Sequence, residues 1–408
     1  MEQFRNYTVS VIAVALLVIS QALLATEPKR INLDWEVNKV ALEEIDNNRT
    51  PSIQIAIGVG EKVVYEGAFG MADIENNVKA TPASKYRTAS IAKWFTATAA
   101  MRLAQAGKLE LDEPIQSYCP QYPEKKWKIT ARHLLTHTSG IRHYIDYEKA
   151  LASAANSAAR SRIEMRALEE SLSSYTRYTD VISPLNTFKN DELLFKPGTA
   201  WEYSSFGYRV LACVLQGAAG KSYVDIIKSE VFEPAKMADT MPDDAWAIIP
   251  GRVSGYHVEN GTIRRADLRD VSENLPAGGY LSTASDLVRF AIAFDKTLLP
   301  NETKQLMSSP ILETLDSDSE YSWRDAIPQE DKYGYGLMLF SKYESGMIGH
   351  SGRQTGGSAI LVLFPQDDIS IAVMTNAKGW NGYINFAMKI KAIVDKELQR
   401  TGSFNKTM

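Results

Sequence analysis

Ile53, Ile55, Ile57 and Val59 alternate with Gln54, Ala56 and Gly58, the two-residue period of a strand with one apolar face. Gly60 and Glu61 supply a turn and residues 62–65 run back, so a hairpin is predicted here. From Ser90 to Ala106 the period changes. Ile91, Phe95, Ala99 and Leu103 recur every four residues, which predicts a helix ended by Gly107. Between 110 and 220 the chain reads as helical or irregular, and the Ala/Ser/Glu/Arg-rich stretch 147–172 is made of good helix formers. Near the C-terminus, SAILVLF (358–364) is a continuous apolar run, 365–368 is a turn, and 369–375 is a second run. These two runs read as adjacent antiparallel strands buried on at least one face. Ala387, Ile390, Val394 and Leu398 then place one apolar stripe on a closing helix.

Strands at both ends with helices between them imply a single sheet assembled from both termini. The expected fold class is α/β in the α+β sense: an antiparallel β-sheet flanked by helices, plus an inserted, mainly helical domain. Residues 30–106 and 275–400 are assigned to the sheet domain and 107–274 to the insert, with a ligand cleft between them. A chain of 408 residues, 45% of them hydrophobic, has material enough for such a core.

The first 25 residues follow neither period. Arg5 precedes a charge-free run, TVSVIAVALLVISQALLA (8–25), and Ser20 and Ala22 have the size and spacing of a signal-peptidase site. The run is also about long enough to span a bilayer if retained. Residues 1–25 therefore read as a signal peptide or an N-terminal membrane anchor, and the protein as periplasmic or secreted. Cys119 and Cys213 are far apart and make no disulfide framework; two ordinary buried thiols are expected, with one bridge left open.

Charge excludes more than it suggests. Against 45 Lys and Arg stand 49 Asp and Glu, without a basic block, which argues against nucleic acid as a partner. His133 and His137 have the spacing of a zinc-protease helix but lack its glutamate, and Gly58-Val59-Gly60 does not complete a dinucleotide fingerprint. Neither a metal nor a cofactor is expected.

Three short motifs remain. In Ser90-Ile91-Ala92-Lys93 the lysine lies one helical turn from the serine, where an uncharged amine could take the hydroxyl proton. The plainer reading is a capping serine and a solvated lysine. Tyr203-Ser204-Ser205 follows a Pro197-Gly198 turn; its phenol could relay a proton, more easily beside an ammonium group, or the ring could simply pack on Trp201, Phe206 or Tyr208. His350-Ser351-Gly352-Arg353 precedes the apolar run, either as a strand edge that holds an extended substrate or as a turn between strands.

In this order the motifs S-x-x-K, Y-x-[NS] and [KH]-[ST]-G resemble the serine beta-lactamase and penicillin-binding-protein superfamily. ITARHLLTHTSGI (129–141), FKPGTAWEYSSFGY (195–208), PAGGYLSTASDLVRFA (276–291) and YGYGLML (333–339) are similar to its class C beta-lactamase-related (peptidase S12-type) branch, most of all to mitochondrial beta-lactamase-like (LACTB-type) members. The resemblance runs from about 53 to 394 and implies a beta-lactamase/transpeptidase-like fold with the site between its two parts. It implies Ser90 as nucleophile, Lys93 and Tyr203 as proton carriers, and the backbone N–H groups of Ser90 and Arg353 as an oxyanion hole. Ser205, His350, Ser351, Gly352 and Arg353 would bind substrate. Two residues depart from the lactamase pattern: Ser205 replaces asparagine and His350 replaces lysine. Both weaken the expected grip on a beta-lactam, so a peptidase, amidase or esterase acting on a small peptide, amide or ester is expected. The rival readings are a non-catalytic binding member of the same fold and a membrane-anchored structural protein.

Overall fold

The computed structural model describes residues 31–311, 332–340, 343, 346–380 and 382–402; the apolar run 8–25 lies outside them. Eight strands form the main sheet: β1 (Ser52–Val59), β2 (Lys62–Asp73), β3 (Val78–Lys79), β4 (Lys332–Tyr333), β5 (Met338–Leu339), β6 (Ile348–Gln354), β7 (Gly357–Phe364) and β8 (Ile369–Thr375). Their order is β3-β2-β1-β8-β7-β6-β5-β4, antiparallel throughout, so the two ends of the chain meet at the centre of the sheet. There Ile55 pairs with Val373, and Val373 with Ile360 on its other side.

Alternation along these strands separates two cores. Ile53, Ile55, Ile57, Ile360, Val362, Ile371 and Val373 pack under the helices Asp34–Asn48 and Tyr383–Thr401. Ala56, Ala359, Leu361, Ala372 and Met374 face the opposite way, into a core shared with Trp94, Phe95 and the helix Ala284–Ala293. Both faces of the central strands are therefore buried, which is why the C-terminal runs read as continuous rather than alternating. The polar position on this second face, Gln54, is fully paired: its amide donates to the carbonyls of Thr81, Pro82 and Ser84 and accepts from the Ala284 N–H.

The helix predicted over 90–106 forms as a short 3-10 turn, Ala89–Ile91, continued by an α-helix Ala92–Gln105, with Gly107 in the left-handed region after it. The stretch 147–172 makes two helices, Tyr147–Ala152 and Ser157–Ser173. Asn156 starts the second by accepting the Ala159 N–H, which the composition-based reading could not place. The helix Ser205–Ala219, buried along most of its length, packs on both Ala92–Gln105 and the short helix Leu275–Gly278.

The cysteines correct the sequence reading. Cys119 and Cys213 form a disulfide, with a Cα–Cα distance of 5.5 Å across 94 residues of sequence. Their approach follows from packing that spacing does not reveal: the helix Ser205–Ala219 presses on 118 so closely that a Cβ on Gly217 would collide with the Tyr118 carbonyl.

Candidate active site

Ser90 lies in the turn Ala89–Ile91, at the entrance of the helix Ala92–Gln105. Its neighbour Ala89 is held at φ 45°, a left-handed conformation that alanine adopts at a cost and that functional turns retain. One turn on, the Lys93 side chain is fully buried. Its Nζ stands 3.1 Å from Ser90 Oγ and donates to the Ala277 carbonyl at 2.9 Å. Burial, followed by the nearby Arg209 guanidinium, holds this amine well below the usual lysine range. The shift favours the uncharged amine, whose lone pair is the form that can accept the serine hydroxyl proton. The plainer reading of a solvated lysine is excluded.

Arg209 is itself buried, one turn past Ser205 on the helix Ser205–Ala219. Glu273 pairs with it at 3.2 Å, and its guanidinium also donates to Tyr144 Oη at 2.8 Å and Asn274 Oδ1 at 3.3 Å.

The Tyr203 hydroxyl hydrogen-bonds Ser90, and its ring centroid lies 4.8 Å from Lys93 Nζ. Burial raises this phenol above its ordinary range despite the Ser90 bond, so it keeps its proton. The expected easing of proton loss is thus outweighed by burial of the phenol. The ring also packs on His137 at 4.4 Å and Trp201 at 6.3 Å; packing and approach to Ser90 coexist.

His350, Ser351, Gly352 and Arg353 lie within β6, paired in register with Leu361, Ile360, Ala359 and Ser358 of β7. The turn reading is excluded. Gly352 crosses directly over the nucleophile turn, where a Cβ would stand 2.7 Å from the Ser90 nitrogen. Ser351, Gly352 and Arg353 line a cleft of about 520 Å³ together with Ser90, Tyr203 and Ser205. His350 departs from its expected role as a substrate contact. Its imidazole is fully buried behind the cleft wall, with Nε2 at 3.1 Å from Tyr333 Oη and Nδ1 on the Ser351 carbonyl. Burial above all pushes it down to about 3, so it supplies no cation where the lactamase pattern has lysine.

Several residues that build the site carried no individual signal. Ala277 receives the lysine, Arg209 and Glu273 set its surroundings, and His143 lines the cleft. His137, considered above only as a metal ligand, accepts the Ser204 N–H, while His133 accepts the Thr130 N–H as part of a helix cap. The two histidines thus do separate structural work.

The beta-lactamase family model matches residues 37–390. The mitochondrial serine beta-lactamase-like protein LACTB of Homo sapiens is 29% identical over 389 residues, covering 79% of this chain and 70% of that protein. Among solved structures, the octameric penicillin-binding protein homologue from Pyrococcus abyssi superposes with a TM-score of 0.69 at 23% identity, covering 88% of this chain and 77% of that one. A D-stereospecific amidohydrolase from Streptomyces superposes with a TM-score of 0.65 at 23% identity, covering 87% and 97%. With a match across nearly the whole described chain, and with Ser90 and Tyr203 lining a cleft beneath which the buried Lys93 approaches the serine, the protein belongs to the beta-lactamase family of serine hydrolases.

Proposed function

We propose that the protein is a serine acyl hydrolase that cleaves peptides, amides or esters through an acyl-enzyme on Ser90. The observation that carries this reading is the 3.1 Å approach of the Lys93 amine, buried and with its pKa depressed by that burial, to the Ser90 hydroxyl. Lys93 Nζ takes the hydroxyl proton as Oγ attacks the substrate carbonyl. The backbone N–H groups of Ser90 and Arg353 receive the oxyanion; the close crossing of Gly352 over Ser90 supports this assignment, because it brings the adjoining strand residue to the nucleophile turn. Tyr203, protonated and bonded to Ser90, gives its proton to the departing amine or alcohol and recovers one from the Lys93 ammonium. The same lysine then takes a proton from water as it attacks the acyl-enzyme, and the resulting Lys93 ammonium gives that proton to the departing Ser90 oxygen.

A neutral His350 and a hydroxyl at Ser205 disfavour beta-lactams, whose carboxylate and side-chain amide lose their expected partners. A charge-assisted contact of that kind contributes about 1.5–3 kcal/mol, or about 10- to 100-fold. The Streptomyces neighbour, a D-stereospecific amidohydrolase on the same fold, supports amides among the substrates. The disulfide supports export to an oxidising compartment, with 8–25 as the exporting or anchoring segment.

Turnover of D-Ala-terminated peptides, p-nitrophenyl esters and nitrocefin by the purified protein tests the reading. Hydrolysis of an ester or peptide that exceeds nitrocefin turnover and is abolished in Ser90→Ala is expected. Binding without turnover, or turnover that survives the substitution, overturns it.

A further inference from the structure

The segment that carries Tyr203 is moulded against the loop 136–143. Backbone bonds join Leu194 N–H to the Gly140 carbonyl at 2.8 Å, Gly198 N–H to that of Thr138 at 2.8 Å, and Glu202 N–H to that of His137 at 3.0 Å. At the far end of this zipper, imidazoles replace carbonyls as acceptors. His137 Nδ1 accepts the Ser204 N–H at 3.1 Å and His143 Nδ1 accepts the Ser205 N–H at 3.1 Å. Ser204 Oγ adds a third link by donating to the Arg142 carbonyl at 2.7 Å, and it caps the helix by accepting the Gly207 N–H at 2.9 Å.

The first N–H groups of a helix have no partner within it, and here they are shared between a serine and a histidine. Each ring must hold its Nδ1 lone pair toward the backbone, which makes both neutral with the proton on Nε2. Burial, the leading cause at both positions, supports that state: it pushes His143 down to about 3 and His137 well below the usual histidine range. Both rings also touch Tyr203, His137 at 4.4 Å and His143 edge-on at 5.4 Å. Two successive peptide groups immediately after Tyr203 are therefore pinned, and the ring between them and Ser90 is braced.

We infer that His137 and His143 are positioning residues, which clamp the backbone at Ser204 and Ser205 and so set the Tyr203 hydroxyl against Ser90. The inference rests on the acyl-hydrolase reading, since only there does the place of the Tyr203 proton govern a rate. It goes beyond that reading by giving the two histidines a task in turnover without contact to the reacting atoms. A displacement of about 1 Å in a catalytic group costs on the order of 100-fold, so loss of one clamp reads out in kcat rather than in substrate binding.

The test compares His143→Ala, His143→Asn and His137→Asn with the wild type. Asn Oδ1 can stand close to the place of Nδ1, and asparagine tolerates the left-handed backbone at His137, where φ is 59°. Measured are kcat and KM on a p-nitrophenyl ester and the Ser90 acylation rate, each normalised to folded protein. His143→Ala is expected to lower kcat by about 10- to 100-fold with KM within about twofold, and both Asn variants to recover most of the rate. Wild-type kcat in His143→Ala, an Asn variant no better than Ala, or a fall that merely follows the folded fraction overturns the clamp. Absence of wild-type turnover would instead remove the hydrolase reading, and the clamp with it.

Discussion

Gly352 and Ser90 are packed so closely that a methyl group cannot separate them: a Cβ at 352 would stand 2.7 Å from the Ser90 nitrogen and 2.6 Å from the Thr88 carbonyl oxygen. Both obstacles are backbone and cannot swing aside. Gly352→Ala is therefore expected to push β6 off the nucleophile turn. Overpacking of this kind costs about 1–3 kcal/mol, and a misplaced oxyanion donor about 100-fold in kcat. Urea denaturation and ester kinetics on the same preparation check both effects.

As the proposed base, Lys93 would work only without its proton. Its folded-state value is depressed, so activity is expected to rise with pH through that lowered value and to level off well short of the ordinary lysine value of about 10.4. A kcat/KM that still climbs in proportion to hydroxide up to pH 10 would contradict an uncharged base. Lys93→Arg, which keeps a permanent charge, and Lys93→Met are both expected to lose about 10²- to 10⁴-fold in Ser90 acylation.

His137, His143 and His350 are all neutral in the folded protein, with His143 and His350 at about 3. Unfolded, each would titrate near 6.5. Depressed groups bind fewer protons folded than unfolded, so their stabilisation is complete above about 6.5 and is lost as pH falls from there towards 3. Each contributes a slope of at most about 1.4 kcal/mol per pH unit inside that window. Urea midpoints measured from pH 7.5 to 4 are expected to hold level down to about 6.5 and to fall from there. A midpoint independent of pH over that range would contradict the neutral assignments.

The sheet was legible because its central strands carry either an uninterrupted apolar run, SAILVLF (358–364), or a strict apolar alternation, Ile53 to Val59. Ser90, Lys93 and Tyr203 were legible through the order of three short motifs, none specific alone. What escaped was whatever depends on contacts between distant segments. Arg209 looks like any helical arginine until Glu273 and Asn274, more than 60 residues on, fold against it. The charge state of Lys93, and with it that of Tyr203, follows from burial that no local pattern encodes. His350 read as a strand-edge contact because the motif gives its place in sequence but not the side of the strand that its ring occupies.

The disulfide joins two residues 94 apart in sequence. In the chain-entropy account a loop of that size contributes about 4–5 kcal/mol. Cys119→Ser with Cys213→Ser is expected to lower the melting temperature markedly while leaving ester turnover at 25 °C close to wild type, since neither cysteine lines the cleft. Thermal melts with and without reductant give the comparison.

The convergence of Lys93 and Tyr203 on the Ser90 hydroxyl is tested most directly by reaction with a fluorophosphonate, followed by intact-mass measurement and peptide mapping. A single adduct on Ser90 is expected, formed rapidly in the wild type, slowly in Lys93→Met, and not at all in Ser90→Ala. No adduct, or one formed at equal speed without the lysine, would contradict the account.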